Sequence, residues 1–209
     1  ELGLTPLDQT EDGTYVHVAQ NDSYLGFIRI ADRIKDTTVE ALDGLKALGI
    51  RQTIMLTGDR RETAERIGRQ IGITQVKAEL LPDQKVEQLE AILYQANGRV
   101  AFVGDGINDA PVLTRADVGI AMGGLGSDVA IEAADVVLMT DEPKQLVEAI
   151  RIARATRRIV YQNIAFALGI KGVFLLLGAF GVATMWEAVF ADVGVTVLAV
   201  LNAMRILRK

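Results

Sequence analysis

The sequence contains no cysteine and a single histidine, His17, so this segment has no disulfide framework and cannot assemble a Cys/His metal cage. Any thiolate site for a soft metal lies outside it. Basic residues are not in excess: 22 Lys and Arg against 27 Asp and Glu leave a formal charge of −5, which gives no basic face for nucleic acid. No segment is low in complexity, and none repeats at the ~20 to 50 residue period of a solenoid or propeller. The chain opens on Glu1 with neither an initiator methionine nor a signal or transit segment, and is expected to be a piece of something longer.

Charge is unevenly distributed. Up to about Arg158 charged residues mix with short apolar runs, but from Ile159 to Leu207 only Lys171, Glu187, Asp192 and Arg205 are charged. Residues 159–185 and 188–204 form two apolar segments, the first exceeding the roughly 20 residues that cross a bilayer. Arg151, Arg154, Arg157 and Arg158 precede the first, and Arg205, Arg208 and Lys209 follow the second. An antiparallel transmembrane hairpin is expected, with both ends cytoplasmic by the positive-inside rule. A lipid bilayer is therefore an expected partner. The alternative is a helical pair buried in a soluble core.

The preceding stretch is organised differently. Residues 15–19 and 24–30 read as two strands of a hairpin. From Thr37 on, helical patterns at 39–48, 61–71, 83–95, 110–115 and 128–133 alternate with short apolar strands at 53–56, 76–79, 100–103, 118–121 and 136–139. Repeated βα units with short loops predict an α/β fold with a parallel sheet covered by helices on both faces. Reactive groups in such sheets gather at the carboxyl ends of the strands. Three polar segments fall there: Thr57-Gly58-Asp59, the stretch 80–85, and Gly104-Asp105-Gly106-Ile107-Asn108-Asp109-Ala110-Pro111.

In the last of these, two carboxylates four residues apart at a strand end, with glycines allowing close backbone approach, suit a hard divalent cation such as Mg²⁺. Asp105 would be a direct ligand, and Asp109 would hold the ion or its waters. Asn108 can donate to a phosphoryl oxygen, Lys85 can neutralise a transferring phosphoryl group, and Thr57 with nearby amides can hydrogen-bond its oxygens.

Together, Thr-Gly-Asp, Pro-x-x-Lys (Pro82 to Lys85) and Gly-Asp-Gly-x-Asn-Asp-x-Pro resemble the phosphorylation domain of P-type ATPases, which has the haloacid dehalogenase fold. Soluble phosphatases of that fold share the Gly-Asp-Gly-x-Asn-Asp segment and a lysine, and the hairpin about fifty residues after Asp109 favours the pump. The resemblance implies the end of a nucleotide-binding domain at 1–25, the C-terminal part of a phosphorylation domain at 26–150, and a basic linker with two transmembrane helices at 151–209, near 159–183 and 187–206. It implies ATP as substrate, Mg²⁺ as cofactor and catalytic roles for Thr57, Gly58, Asp59, Lys85 and Asn108. Asp32 with Lys35 stands where the family carries an Asp and an Arg at the hinge to the nucleotide-binding domain.

The resemblance also shows what is missing. The phosphorylated aspartate of Asp-Lys-Thr-Gly-Thr is absent, as are the actuator Thr-Gly-Glu and the membrane Cys-Pro motif of heavy-metal pumps. Asp12-Gly13-Thr14 is no substitute, since Thr10 stands at the nucleophile position. The chain alone is expected to turn over no ATP, and the N-terminal part of the same pump is its implied partner. Two membrane segments after the phosphorylation domain resemble the heavy-metal branch, where Gly169-Ile170-Lys171-Gly172 and Ala191-Asp192-Val193-Gly194 look like exporters of Zn²⁺, Cd²⁺ or Pb²⁺ in the cell membrane. Asp192 would bind the transported metal and Lys171 would be its counter-ion; a carboxylate suits a divalent ion better than Cu⁺. The competing readings are a soluble phosphatase of the same fold and a non-catalytic, membrane-anchored remnant.

Overall fold

A computed structural model describes residues 14–20, 23–30, 33–104, 107–123 and 128–208. β1 (Thr14–Gln20) and β2 (Ser23–Ile30) pair antiparallel. His17 Nδ1 lies 3.0 Å from the Tyr24 hydroxyl, so the sole histidine is a surface partner within the hairpin.

Alternation of helix and strand follows. α1 (Thr38–Ala47) buries Ala41, Leu42 and Leu45, and α2 (Arg61–Ile71) buries Ala64, Gly68 and Ile71. Those spacings put each set on one helix face. α2 stops at Gly72, whose φ of +77° is the left-handed cap that glycine adopts without strain. Between these helices lies β3 (Ile54–Leu56), and β4 (Gln75–Lys77) follows and pairs with it in parallel. α3 (Pro82–Gln95) leads into β5 (Ala101–Gly104), a 3-10 turn at Ile107–Asp109 and α4 (Ala110–Arg115). β6 (Val118–Met122), α5 (Asp128–Ala133) and β7 (Val136–Leu138) complete this part.

The strands of the βα units are parallel, as the pattern predicts. Their hydrogen-bonded ladder, however, falls into two blocks rather than one: β3-β4 and β5-β6-β7. Among the described residues β3 pairs only with β4, and β5 only with β6, so each keeps an unpaired edge. The central β6 buries Gly119, Ile120 and Ala121 in succession, as expected of a strand covered on both faces. A Cβ on Gly119 would meet the Leu113 carbonyl oxygen at 2.5 Å, which is how closely α4 lies on the sheet.

α6 (Lys144–Ala179) is one helix of 36 residues. Its first turns belong to the folded domain: Val147 packs with Ala41, Leu42, Leu45 and Ile71, and an Arg154 guanidinium N–H donates to the Leu48 carbonyl at the end of α1. Beyond these turns the helix is apolar and exposed. After a turn at 180–184 comes α7 (Met185–Ala203), which leads into a 3-10 turn at Met204–Arg208. α6 and α7 are both long and apolar enough to cross a membrane. Leu175 and Phe190 are 69% and 75% exposed, which excludes a buried core pair within this chain. The helices are antiparallel neighbours, joined by a turn centred near residue 182.

Candidate phosphoryl-transfer and membrane sites

The three polar segments at the strand ends are linked in sequence. Thr57 follows β3 and its N–H donates to the Lys77 carbonyl, while the N–H groups of Leu80 and Glu79 donate to the Thr57 and Asp59 carbonyls at 3.0 and 2.9 Å. The loop after β3 is thereby fastened to the loop after β4. Glu79 takes a φ of +60°, unusual for a residue with a side chain. Gly58 lies against the second loop, since an added Cβ would come within 3.3 Å of the Leu80 carbonyl oxygen. Within the first loop the Thr57 hydroxyl donates to Asp59 Oδ2 at 2.8 Å, and the Asp59 N–H donates to Thr57 Oγ1 at 3.1 Å. Thr57 is half-buried and Asp59 exposed.

The second segment joins the third through a side chain. Leu81 starts α3 with its N–H held by Gln84 Oε1 at 2.9 Å and Pro82 as the first helical residue. One turn in, Lys85 Nζ donates to Asp109 Oδ1 at 2.8 Å, with the two side chains only 18% and 14% exposed. Asp109 closes the 3-10 turn after β5 and precedes α4. Its carboxylate has room because Gly104 lacks a side chain: a Cβ there would lie 2.9 Å from Asp109 Cβ. Asn108 is exposed on the same turn. Asp105 and Asp32 lie outside the described residues. Among those described, no three His, Cys, Asp or Glu converge on one point. The described portion thus offers one part-buried carboxylate with a lysine on it, a donor set that fits a shared anion and cation site once a second acid is added.

Lys35, the expected hinge residue, reaches the segment that leads into α6. Its ammonium contacts the Asp141 carboxylate and donates to the Asp141 carbonyl at 2.8 Å. Thr37 Oγ1 donates to Glu142 Oε2 at 3.0 Å, and Lys144 Nζ lies 3.3 Å from Glu40 Oε1. This lashing of α1 to the start of α6 carries no local sequence signal.

On the two apolar helices Lys171 Nζ and Asp192 Oδ1 lie 4.0 Å apart, with side chains 68% and 71% exposed. Toward the other end, Asn163 Nδ2 donates to the Ala199 carbonyl at 3.0 Å and Asn202 Nδ2 donates to Asn163 Oδ1 at 2.8 Å. Asn163 carries a sequence signal of its own, a polar amide inside an apolar run.

Comparison with known proteins agrees with this geometry. A family model described as haloacid dehalogenase-like hydrolase matches residues 3–117. The chain is 63% identical to a cadmium, zinc and cobalt-transporting ATPase of Bacillus subtilis over 98% of its own length and 30% of the relative's. It is 59% identical to a zinc-transporting ATPase of Synechocystis over 93% of its length and 27% of the relative's. The crystal structure of a zinc-transporting PIB-type ATPase in the E2.Pi state superposes with a TM-score of 0.81 at 44% identity, covering 93% of this chain and 32% of that one. The chain therefore spans about a third or less of each of these proteins. It belongs to the haloacid dehalogenase-like hydrolase family, and nearly all of it is similar to part of the heavy-metal-transporting P-type ATPases.

Proposed function

We propose that this chain is the C-terminal part of an ATP-driven exporter of Zn²⁺, Cd²⁺ or Pb²⁺, supplying half of a phosphorylation site and part of a membrane metal site. The observation that carries this reading is the Lys171–Asp192 pair on two apolar helices, continuous through α6 with the domain that holds Lys85 on Asp109. A soluble phosphatase has no use for the former. The Bacillus subtilis relative of this chain is a transporter of cadmium, zinc and cobalt, which supports a divalent cargo.

Asp105 and Asp109 would hold Mg²⁺, which when bound neutralises charge on a phosphoryl group. Lys85 places its ammonium where a phosphoryl oxygen can take it over from Asp109. The Thr57 hydroxyl, now donating to Asp59, can turn to a phosphoryl oxygen while Asp59 holds the loop through its backbone. Gly58 lets that loop lie close to the Leu80 carbonyl, and Asn108 offers an exposed amide. The phosphorylated aspartate would come from the N-terminal part of the same pump. Asp192 binds or releases the metal, and Lys171 occupies its carboxylate once the metal has left. The hairpin spans the plasma membrane with both of its ends on the cytoplasmic side, as the flanking arginines favour.

The deciding experiment uses the full-length protein in vesicles. Asp192→Ala should abolish metal-stimulated ATP turnover while inorganic phosphate still labels the phosphorylation domain. Normal zinc pumping by that variant would put the metal site elsewhere.

A further inference from the structure

Beyond Ile159 the side chains of α6 and α7 are mostly apolar, and in lipid apolar helices have little preference for one register over another, because lipid tails are as apolar as the partner helix. A slip of one turn, about 5.4 Å, would separate Lys171 from Asp192. Something must fix the register. The polar contacts that can do so are few and lie together: Asn163 to the Ala199 carbonyl, Asn202 to Asn163 Oδ1, and a longer contact of 3.5 Å from Asn202 to Gln162 Oε1. Arg205 NH1 donates to Asn202 Oδ1 at 2.9 Å, which orients that amide so that its NH₂ faces α6. Asn163 and Asn202 are both partly buried between the helices, whereas Gln162 is exposed.

These contacts and the Lys171–Asp192 pair share a midpoint close to Val182, in the turn. They therefore specify the same register, although the amides lie roughly 12 Å along α6 from Lys171. We propose that Asn163 and Asn202 are positioning residues, an amide clasp that holds the two membrane helices level so that Lys171 faces Asp192. A single polar pair is enough to select one register among apolar helices, as a buried asparagine does in coiled coils. The clasp deepens the membrane-site reading given above and rests on it for its purpose, but its geometry is testable without metal or ATP.

The intact chain in phosphatidylcholine vesicles is treated with a membrane-permeant carbodiimide, which condenses the Lys171 amine with the Asp192 carboxylate to an amide and takes up the water lost as a urea. Mass spectrometry reads the cross-linked peptide. Wild-type chain should give it, and Asn163→Leu and Asn202→Leu should each lower its yield by about fivefold, the shift that a lost interhelical hydrogen bond of ordinary strength produces. Far-ultraviolet helical signal should be unchanged, and Asn202→Gln, which keeps an amide, should recover most of the yield. The clasp is overturned by absence of the cross-link in wild type, by full yield in both leucine variants, or by loss of helical signal in step with yield in the leucine and glutamine variants alike. Zinc transport by the full-length protein is scored separately. A cross-link that depends on the clasp beside transport that ignores Asp192 would refute the pump role and leave the clasp standing.

Discussion

Gly104 is the space that Asp109 occupies: a Cβ on Gly104 would stand 2.9 Å from Asp109 Cβ, 3.1 Å from its Oδ2 and 3.1 Å from the Phe102 ring. Gly104→Ala must push Asp109 away from Lys85 or bend the end of β5. Overpacking of this kind costs about 1 to 3 kcal/mol. The expected outcome is a lower thermal midpoint of the chain in detergent, together with weaker phosphorylation in the full-length protein. An unchanged midpoint would show that the turn after β5 yields freely.

Lys85→Ala should slow phosphorylation of the full-length protein by about 100-fold, the usual scale for removing one group that stabilises developing charge. Folding should survive, because Asp109 keeps some access to water, its side chain being 14% exposed. Quench-flow labelling with γ-phosphate measures the rate, and wild-type kinetics would make the Lys85–Asp109 pair purely structural.

The chain alone should form no acid-stable phosphoenzyme from ATP, since the acyl phosphate needs an aspartate that stands outside it. Labelling of the isolated chain would overturn the division of the site proposed above.

Asp117 accepts the Val100 backbone N–H at 2.9 Å and an Arg99 guanidinium N–H at 2.8 Å. The backbone donor first, and the arginine second, hold its carboxyl below the ordinary carboxylate value. A depressed folded value means that its stabilisation is complete above the unfolded value and fades as pH falls through the folded one. The window lies below about pH 4. Asp117→Asn should flatten the acid limb of the thermal midpoint against pH, leaving the neutral region parallel to wild type.

Lys171→Ala in the full-length protein should bind zinc but release it slowly, because no ammonium remains to replace the metal on Asp192. Dissociation of radiolabelled zinc measures this. An ionised side chain near a helix centre costs about 2.5 to 3.5 kcal/mol in membrane insertion, so two of them with no role would be an expensive accident. Release at the wild-type rate would reduce the pair to a tie between helices.

Local elements were legible where the residues dictate them. The expected helices 61–71, 110–115 and 128–133 coincide with α2, α4 and α5, because amphipathic spacing and flanking Gly or Pro are local signals. The pairing of Lys85 with Asp109 was only partly legible. The sequence put both at strand ends, but that α3 would aim one at the other depends on how the helix packs. The Lys35–Asp141 contact was illegible, since it joins residues 106 apart and no periodicity encodes such a meeting. The level of Lys171 with Asp192 depends on where the turn falls, which an apolar pattern alone does not fix. The division of the ladder into two blocks was invisible for a similar reason: strand propensity says which residues extend, not which edges they find.

That division bears on how the chain behaves in a test tube. β3 and β5 each carry a row of backbone groups with no strand beside them among the described residues, and Val103 on β5 is 37% exposed. Open edges of this kind template pairing with other molecules, and these strands are only 3 and 4 residues long, too short to dominate but enough to seed contact. Self-association of the purified chain should therefore rise with concentration even after the apolar helices are shielded by detergent, and a short extended peptide that fits either edge should act as a solubiliser.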